Sequence, residues 1–228
     1  QMSNNYLSDV KQRVTGTTRS RISRKNLGLI EIPIPPIEEQ KEIVEILDQA
    51  FESIDKAKAN IEKNIENAKE LFQSKLNQIF SQNVEGWETK KFLDCLNKVK
   101  NTIKIPKCKF LNDGLYPIVS QESSLISGYW DNMNDLLNVE KPVIIFGDHT
   151  KAIKFIDFSF VRGADGIKVL LPIEQINSKF FYYLLRSVKL RDLGYARHYR
   201  LLKELVISYP TIEKQKKIVE SLDIIENH

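Results

Sequence analysis

A 44-residue stretch, Ile37 to Phe80, constrains this chain more than anything else in it: no Gly or Pro interrupts a repeating apolar pattern. Ile37, Val44, Phe51, Lys58, Ile65, Phe72 and Ile79 recur every seven residues. Gln40, Leu47, Ile54, Ile61, Ala68 and Lys75 form a second column, and mostly Glu, Lys, Asn and Gln stand elsewhere. Two columns sustained over about six heptads predict one long helix with a coiled-coil seam. Pro33, Pro35 and Pro36 disfavour helix before Ile37 and so mark its start. At about 1.5 Å per residue such a helix is roughly 65 Å long. Its stripe requires a partner helix.

The chain supplies the beginning of one, because the helix entry repeats. Residues 35–48 read PPIEEQKEIVEILD and residues 210–223 read PTIEKQKKIVESLD, with ten identities in fourteen positions at an offset of 175. Ile212, Val219 and Leu222 thereby stand where Ile37, Val44 and Leu47 stand in the first copy. Upstream, Gly16-Thr17-Thr18-Arg19 lines up loosely with Gly194-Tyr195-Ala196-Arg197. The expected organisation is the end of one domain at 1–36, a long helix at 37–82, a complete domain at 84–210 and the start of a second helix at 211–228. The fold class is α+β: a mixed α/β domain joined to a long coiled-coil-forming spacer helix.

Within 84–210, Val143-Ile144-Ile145-Phe146 after Pro142 reads as a buried strand, and Ile153 to Phe160 and Ile167 to Leu171 as further strands. Arg162-Gly163-Ala164-Asp165-Gly166 reads as the turn between them, and Asn177-Ser178 as the cap of a short aromatic-rich helix reaching about Val188. Polar and basic residues gather in three loops: Ser120-Gln121-Glu122, Gly147-Asp148-His149-Thr150-Lys151, and Gly194 through Arg200.

Charge is uneven. Lys11, Arg13, Arg19, Arg21, Arg24 and Lys25 against Asp9 give residues 9–25 a balance of +5. Arg186, Lys189, Arg191, Arg197, Arg200 and Lys203 against Asp192 give residues 186–203 the same. Both clusters precede the repeated helix entry, as a protein gripping a polyanion at two places requires.

Catalysis finds little support. His149 beside Asp148 and Thr150 reads better as a hydrogen-bonded loop residue than as a general base. Glu88-Thr89-Lys90 resembles the Glu-x-Lys of metal-dependent nucleases but has no second positioned carboxylate and reads as a solvated strand or turn. Three His and two Cys give no metal-ligand spacing, and Cys95 and Cys108 give no disulfide framework. There is no phosphate-cradling Gly-rich loop and no G-x-S-x-G. No run reaches the roughly 18 apolar residues of a membrane span, and Gln-Met-Ser-Asn-Asn-Tyr lacks the core of a signal peptide, so a cytoplasmic protein without membrane contact is expected.

The order of a domain end, Pro-rich entry, I-E-x-Q-K-x-I-V-E helix, domain, Pro and the same helix again resembles the specificity subunits of type I restriction-modification systems. Carrying the likeness are Gly16-Thr17-Thr18-Arg19, Ile32 through Gln40, Ile43-Val44, Leu47, Gly86-Trp87, Phe146 through Thr150, Gly163 through Gly166 and Tyr209 through Gln215. The resemblance implies target recognition domains that each read half of a bipartite sequence in double-stranded DNA. It also implies spacer helices that dock modification (methyltransferase) subunits, with restriction subunits joining that core. The specificity subunit itself would have no catalytic role and no cofactor, S-adenosylmethionine belonging to the methyltransferase subunit. Here the first recognition domain is represented by its last segment alone. A head-to-tail homodimer through the long helix would restore two domains and read an inverted repeat.

The residues expected to face DNA are Arg197, His198, Tyr199 and Arg200, then Lys151, His149, Gln121 and Arg162, with Arg19 and Arg21 in the first basic cluster. Guanidinium forks suit guanine edges or phosphates, and His and Tyr suit hydrogen bonds and stacking. The alternative is a coiled-coil protein-interaction module without DNA readout, in which these side chains solvate a loop.

Overall fold

A computed structural model describes residues 2–15, 21–31, 34–81, 86–164, 166–194 and 196–226, with side chains from residue 7 onward. The chain divides into two compact units, Gln1–Asn64 and Ile65–His228. In the first lie α1 (Met2–Arg13), α2 (Arg24–Leu27) and most of α3 (Ile37–Phe80). The second contains the end of α3, then β1 (Glu88–Lys91), β2 (Leu96–Asn97), β3 (Lys104–Ile105), β4 (Tyr116–Val119), β5 (Gly128–Trp130) and β6 (Leu136–Leu137). It continues with β7 (Val143–Gly147), β8 (Ile153–Ile156), β9 (Phe160–Gly163), β10 (Ile167–Pro172), α4 (Ser178–Ser187), α5 (Tyr199–Lys203), β11 (Val206–Tyr209) and α6 (Ile212–Glu226).

The long helix forms as the heptads predict. In the first unit its apolar positions are uncovered: Phe51 is 60% exposed and Ile54 and Ile61 are each 59% exposed. The face changes near the C-terminal end, where Phe72 and Leu76 are buried and Ile79 and Phe80 pack beside them. Lys75, not Leu76, occupies the expected column. A straight helix drifts by about 20° per heptad, so a buried set spaced 72, 76, 79, 80 follows the 3.6-residue period of a helix lying on a globular core.

What covers those turns is α4 and α6. Tyr183 and Leu222 join Phe72 and Leu76 in one cluster, so the second copy of the repeat packs against the last turns of α3. Polar clasps fix α4 against α6. Lys179 Nζ donates to Asp223 at 2.9 Å, Arg186 bonds Glu226, and the Tyr183 hydroxyl lies 2.5 Å from Asp223 and 2.7 Å from Glu226. Burial first, and then those two carboxylates, push the Tyr183 phenol far above its ordinary pKa.

The repeat also has a conserved joint. Gln40 Nε2 donates to the Pro35 carbonyl at 2.7 Å, and Gln215 Nε2 donates to the Pro210 carbonyl at 2.8 Å. Both helix entries are therefore closed by the same side chain, five residues on from the proline. Gln215 is fully buried, donating also to Gln175 O and accepting from Asn177 N–H. Elements upstream correspond as well: Ser23 caps α2 with its hydroxyl accepting from Asn26 N–H, and His198 stands at the cap of α5, again at an offset of 175.

Three sheets build the second unit, a two-stranded one of β1 and β11 and two larger ones. β2-β10-β7-β8 is antiparallel throughout. The other runs β3-β9-β4-β5 with β6 on β9, and it is mixed, β9 being parallel to β3 and β4. β7 is buried along its whole length because it faces two cores. Ile144 and Phe146 join Phe180, Phe181 and Leu185 of α4, whereas Val143 and Ile145 join Val119, Ile156 and Phe160 between the sheets. An uninterrupted apolar strand is what two-sided burial requires. Asn177 caps α4, its side chain accepting from the N–H groups of Lys179 and Phe180.

Two expectations need correction. Ile153 to Phe160 is not one strand: β8 ends at Ile156, and Phe160 opens β9 in the other sheet. Arg162 and Gly163 accordingly lie within β9 and not in a turn. Glu88 to Lys91 is a strand, paired antiparallel with β11, and Lys90 forms an ion pair with Glu88 at 3.2 Å.

Candidate nucleic-acid interface

Four loops meet at one end of the second unit. They follow β4 (residues 120–127), join β7 to β8 (148–152), follow β9 and precede β10 (164 and 166) and precede α5 (191–194 and 196–198). Asp148 is the hub. Its N–H donates to Gly166 O at 2.6 Å, its carbonyl accepts from His198 N–H at 2.7 Å, and its carboxylate accepts from Tyr199 N–H at 2.8 Å. The residue is only 2% exposed, and Lys168 Nζ stands 3.6 Å from its second oxygen. Its place in the fold follows from β7, whose buried run carries the next residue into the interior.

Gln121 ties in the first loop. Its Oε1 accepts from His149 N–H at 3.3 Å, and its carbonyl accepts from the Thr150 hydroxyl at 2.6 Å. Gly166 makes the approach possible. It sits at φ +83°, and a Cβ there would lie 2.9 Å from the His149 ring and 3.0 Å from Gln121 Oε1. Lys154, 6% exposed, secures the same loop from beneath, donating to Ser120 O at 2.8 Å and Ser124 O at 2.5 Å. Burial lowers the pKa of this lysine.

The segment before α5 is latched by an ion pair. Lys151, a non-glycine at φ 58°, places its ammonium 3.0 Å from Asp192 Oδ2. Asp192 Oδ1 also accepts from Gly194 N–H at 2.8 Å. The Lys151 hydrogen bond, then the Gly194 N–H, hold the Asp192 carboxyl below its ordinary pKa.

The structure divides the sequence-derived residues into two groups. Arg197 and Arg200 are exposed on the rim, Gln121, His149 and Lys151 are half-buried within the loop cluster, and Arg21 is exposed in the first unit. His198 does not face outward. It is 1% exposed, its Nδ1 lies 3.1 Å from Asp148 O and its Nε2 accepts from Leu193 N–H at 3.2 Å, an arrangement that places the ring proton on Nδ1. It is a brace for the loop, because only a buried ring reaches backbone groups on both sides. Tyr199 is half-buried between Phe92 and Phe146, with Lys168 over its ring at 5.3 Å. Arg162 is turned toward Asn101, donating at 2.8 Å, and burial lowers its pKa. Arg19 lies outside the described residues; Arg21 exchanges backbone hydrogen bonds with Thr15 at 2.8 and 2.9 Å.

Asp148, Lys154, Asp192 and Gly166 carry the geometry and were not singled out as site residues by the sequence. The positive φ of Gly166 had a signal in its turn context, but burial of Lys154 had none. Among the described residues no group of three or more His, Cys, Asp or Glu side chains could hold a metal. Cys95 is buried, which pushes its thiol up to about 11, and Cys108 is exposed. No helix of the described residues is long and apolar enough to cross a membrane.

The second unit presents braced loops on a body of three sheets and is joined in sequence to a long helix and its repeated beginning. Residues 3–67 and 84–228 match the model of the type I restriction modification DNA specificity domain, and the chain belongs to that family. The Type I restriction enzyme MjaVIII specificity subunit of Methanocaldococcus jannaschii is 23% identical over 264 residues, covering 96% of this chain and 61% of its own length. A solved chain from work on complex assembly and conformational transition of the type I R-M system superposes with a TM-score of 0.68 at 17% identity, over 99% of this chain and 60% of its own. The type I restriction-modification S subunit from M. genitalium gives 0.58 at 18%, over 99% and 64%. The HsdS subunit from Thermoanaerobacter tengcongensis gives 0.52 at 16%, over 96% and 60%. At such identities the likeness of the solved structures is one of fold. This chain spans about three fifths of the length of these relatives.

Proposed function

We propose that this chain reads one half of a bipartite sequence in double-stranded DNA and delivers methyltransferase subunits to it, without chemistry of its own. The observation that carries the reading is the loop cluster. Four loops are cross-braced by Asp148, Gln121, Lys154 and His198, so that Arg197 and Arg200 are exposed beside a stiff edge. Fixed backbone with outward guanidinium groups suits direct readout, which needs fork geometry more than charge alone. The helix α3, with its uncovered apolar face, is the docking surface for modification subunits, with the restriction subunit joining them. S-adenosylmethionine is bound by the methyltransferase and not by this chain, and the complex works on DNA in the cytoplasm.

The same uncovered face supports a homodimer. Ile54 and Ile61 are exposed apolar positions of the seam that a second α3 running head to tail would cover. A monomeric sedimentation profile at micromolar concentration overturns that arrangement.

The test of the main reading is methylome sequencing of cells that carry the modification subunit with and without this chain. A methylated motif present only with the chain is expected. Arg197→Ala is expected to relax one position of that motif and weaken binding by roughly 1–3 kcal/mol if it reads a base. An identical methylome in both strains refutes the reading.

A further inference from the structure

Between β2 and the first residues after β3 lies a further run of positive charge. Lys98, Lys100, Lys104, Lys107 and Lys109 fall within twelve residues that contain no Asp or Glu, and all five are exposed. Lys107 bonds Glu122. The other four have no ion-pair partner among the described residues.

The fold fastens this segment to the loop cluster at four points. β3 pairs in parallel with β9, with Lys104 opposite Arg162 and Ile105 opposite Gly163. Ala164 N–H, at the start of the β9–β10 turn, donates to Ile105 O at 2.7 Å. Arg162 holds Asn101 at 2.8 Å, and the Lys107–Glu122 pair ties the segment to the residue after Gln121. The partly buried arginine is thus an anchor for the lysine segment. Fully extended, residues 98–107 reach at most about 30 Å, so Lys98 and Lys100, beside Val143 and Leu171, lie within about that distance of the braced loops.

A solvated edge is the simpler account, since lysines commonly guard the unpaired side of an edge strand such as β3. That account covers Lys104 alone. Lys98, Lys100 and Lys109 lie outside the strand, and the four attachments are more than edge protection requires. We propose that residues 98–109 form a backbone-contacting rail that grips the sugar-phosphate chain of the DNA beside the base-reading loops. The proposal rests on the DNA-binding reading above and assigns a different task to a different segment. The residue type supports the division: the run is all lysine, and a flexible ammonium on a long stem neutralises phosphate without demanding bidentate geometry, whereas the rim has arginines.

The experiment measures how affinity for a duplex of unrelated sequence depends on salt, for the full chain and for a variant carrying K98Q, K100Q, K104Q and K109Q. Each phosphate contact contributes about 0.9 to the slope of log K against log salt. The rail predicts a slope shallower by about 2–4, with the preference between cognate and unrelated duplex unchanged within about twofold. A second variant, K214Q with K216Q and K217Q, removes exposed charge from α6 and is expected to keep the parent slope. Thermal melts of all three proteins confirm equal folding. A parent-like slope in the first variant, or an equal loss in the second, overturns the rail and leaves the DNA-binding reading standing. Absence of salt-dependent binding by the parent chain overturns both.

Discussion

Asp148→Ala gives the sharpest test of how the loop cluster is held. The carboxylate accepts from Tyr199 N–H at 2.8 Å in a site where Asp148 is only 2% exposed. Truncation leaves that N–H without its acceptor and away from water, which costs about 1–3 kcal/mol, toward the upper part because the acceptor is charged. Lys168 adds little, since its side chain is 35% exposed and stands 3.6 Å away. The carbonyl bonds to His198 survive the change. The expected loss is therefore about 1.5–3 kcal/mol, a fall in Tm of about 3–12 °C for a unit of this size. Asp148→Asn keeps an oxygen toward Tyr199 and is expected to cost less than about 1 kcal/mol. Thermal and urea unfolding of both variants, followed by tryptophan fluorescence, measures the difference. An Asp148→Ala protein that melts within 1 °C of the parent, or an Asn variant as weak as the Ala variant, refutes the hub.

Leu76→Ala opens a cavity between α3, α4 and α6 where the leucine is fully buried, and is expected to cost about 2–5 kcal/mol in urea unfolding. Ile54→Ala, on the uncovered part of the same helix, is expected to stay within about 0.5 kcal/mol for the monomer. The Asp192 latch should titrate abnormally. Because its folded pKa is depressed, its contribution is present above the unfolded value of about 3.9 and is lost as pH falls through the folded one. A carboxyl-carbon NMR titration should therefore show a midpoint below the ordinary range that returns toward it in Lys151→Met; a normal midpoint in the parent contradicts the latch.

Local patterns were legible without coordinates. Heptads announced α3, the proline-to-glutamine block announced α6, Asn177 announced α4, and Val143 to Phe146 announced a buried strand. Each signal is written within a window of residues that share one element, so the periodicity that encodes it needs no distant partner. The loops that hold Arg197, His149 and Gln121 were also recognisable by their polar composition, as was the relation of the chain to its family.

Only the tertiary structure decided which of those side chains face outward. His198 and Asp148 meet across 50 residues, so nothing near either one in the sequence shows that the imidazole is a buried brace while Arg197 beside it is exposed. The same holds for Lys154, buried beneath a loop that begins 34 residues earlier, and for Arg162, which a turn-like composition placed in a loop and strand pairing placed in β9. The end of the coiled-coil face was equally invisible. Ile54 and Phe72 occupy corresponding kinds of apolar position, yet Ile54 is exposed while Phe72 is buried in a cluster with Tyr183 of α4 and Leu222 of α6. Burial is a property of what arrives from elsewhere in the chain, and a residue's neighbours in sequence carry no record of it.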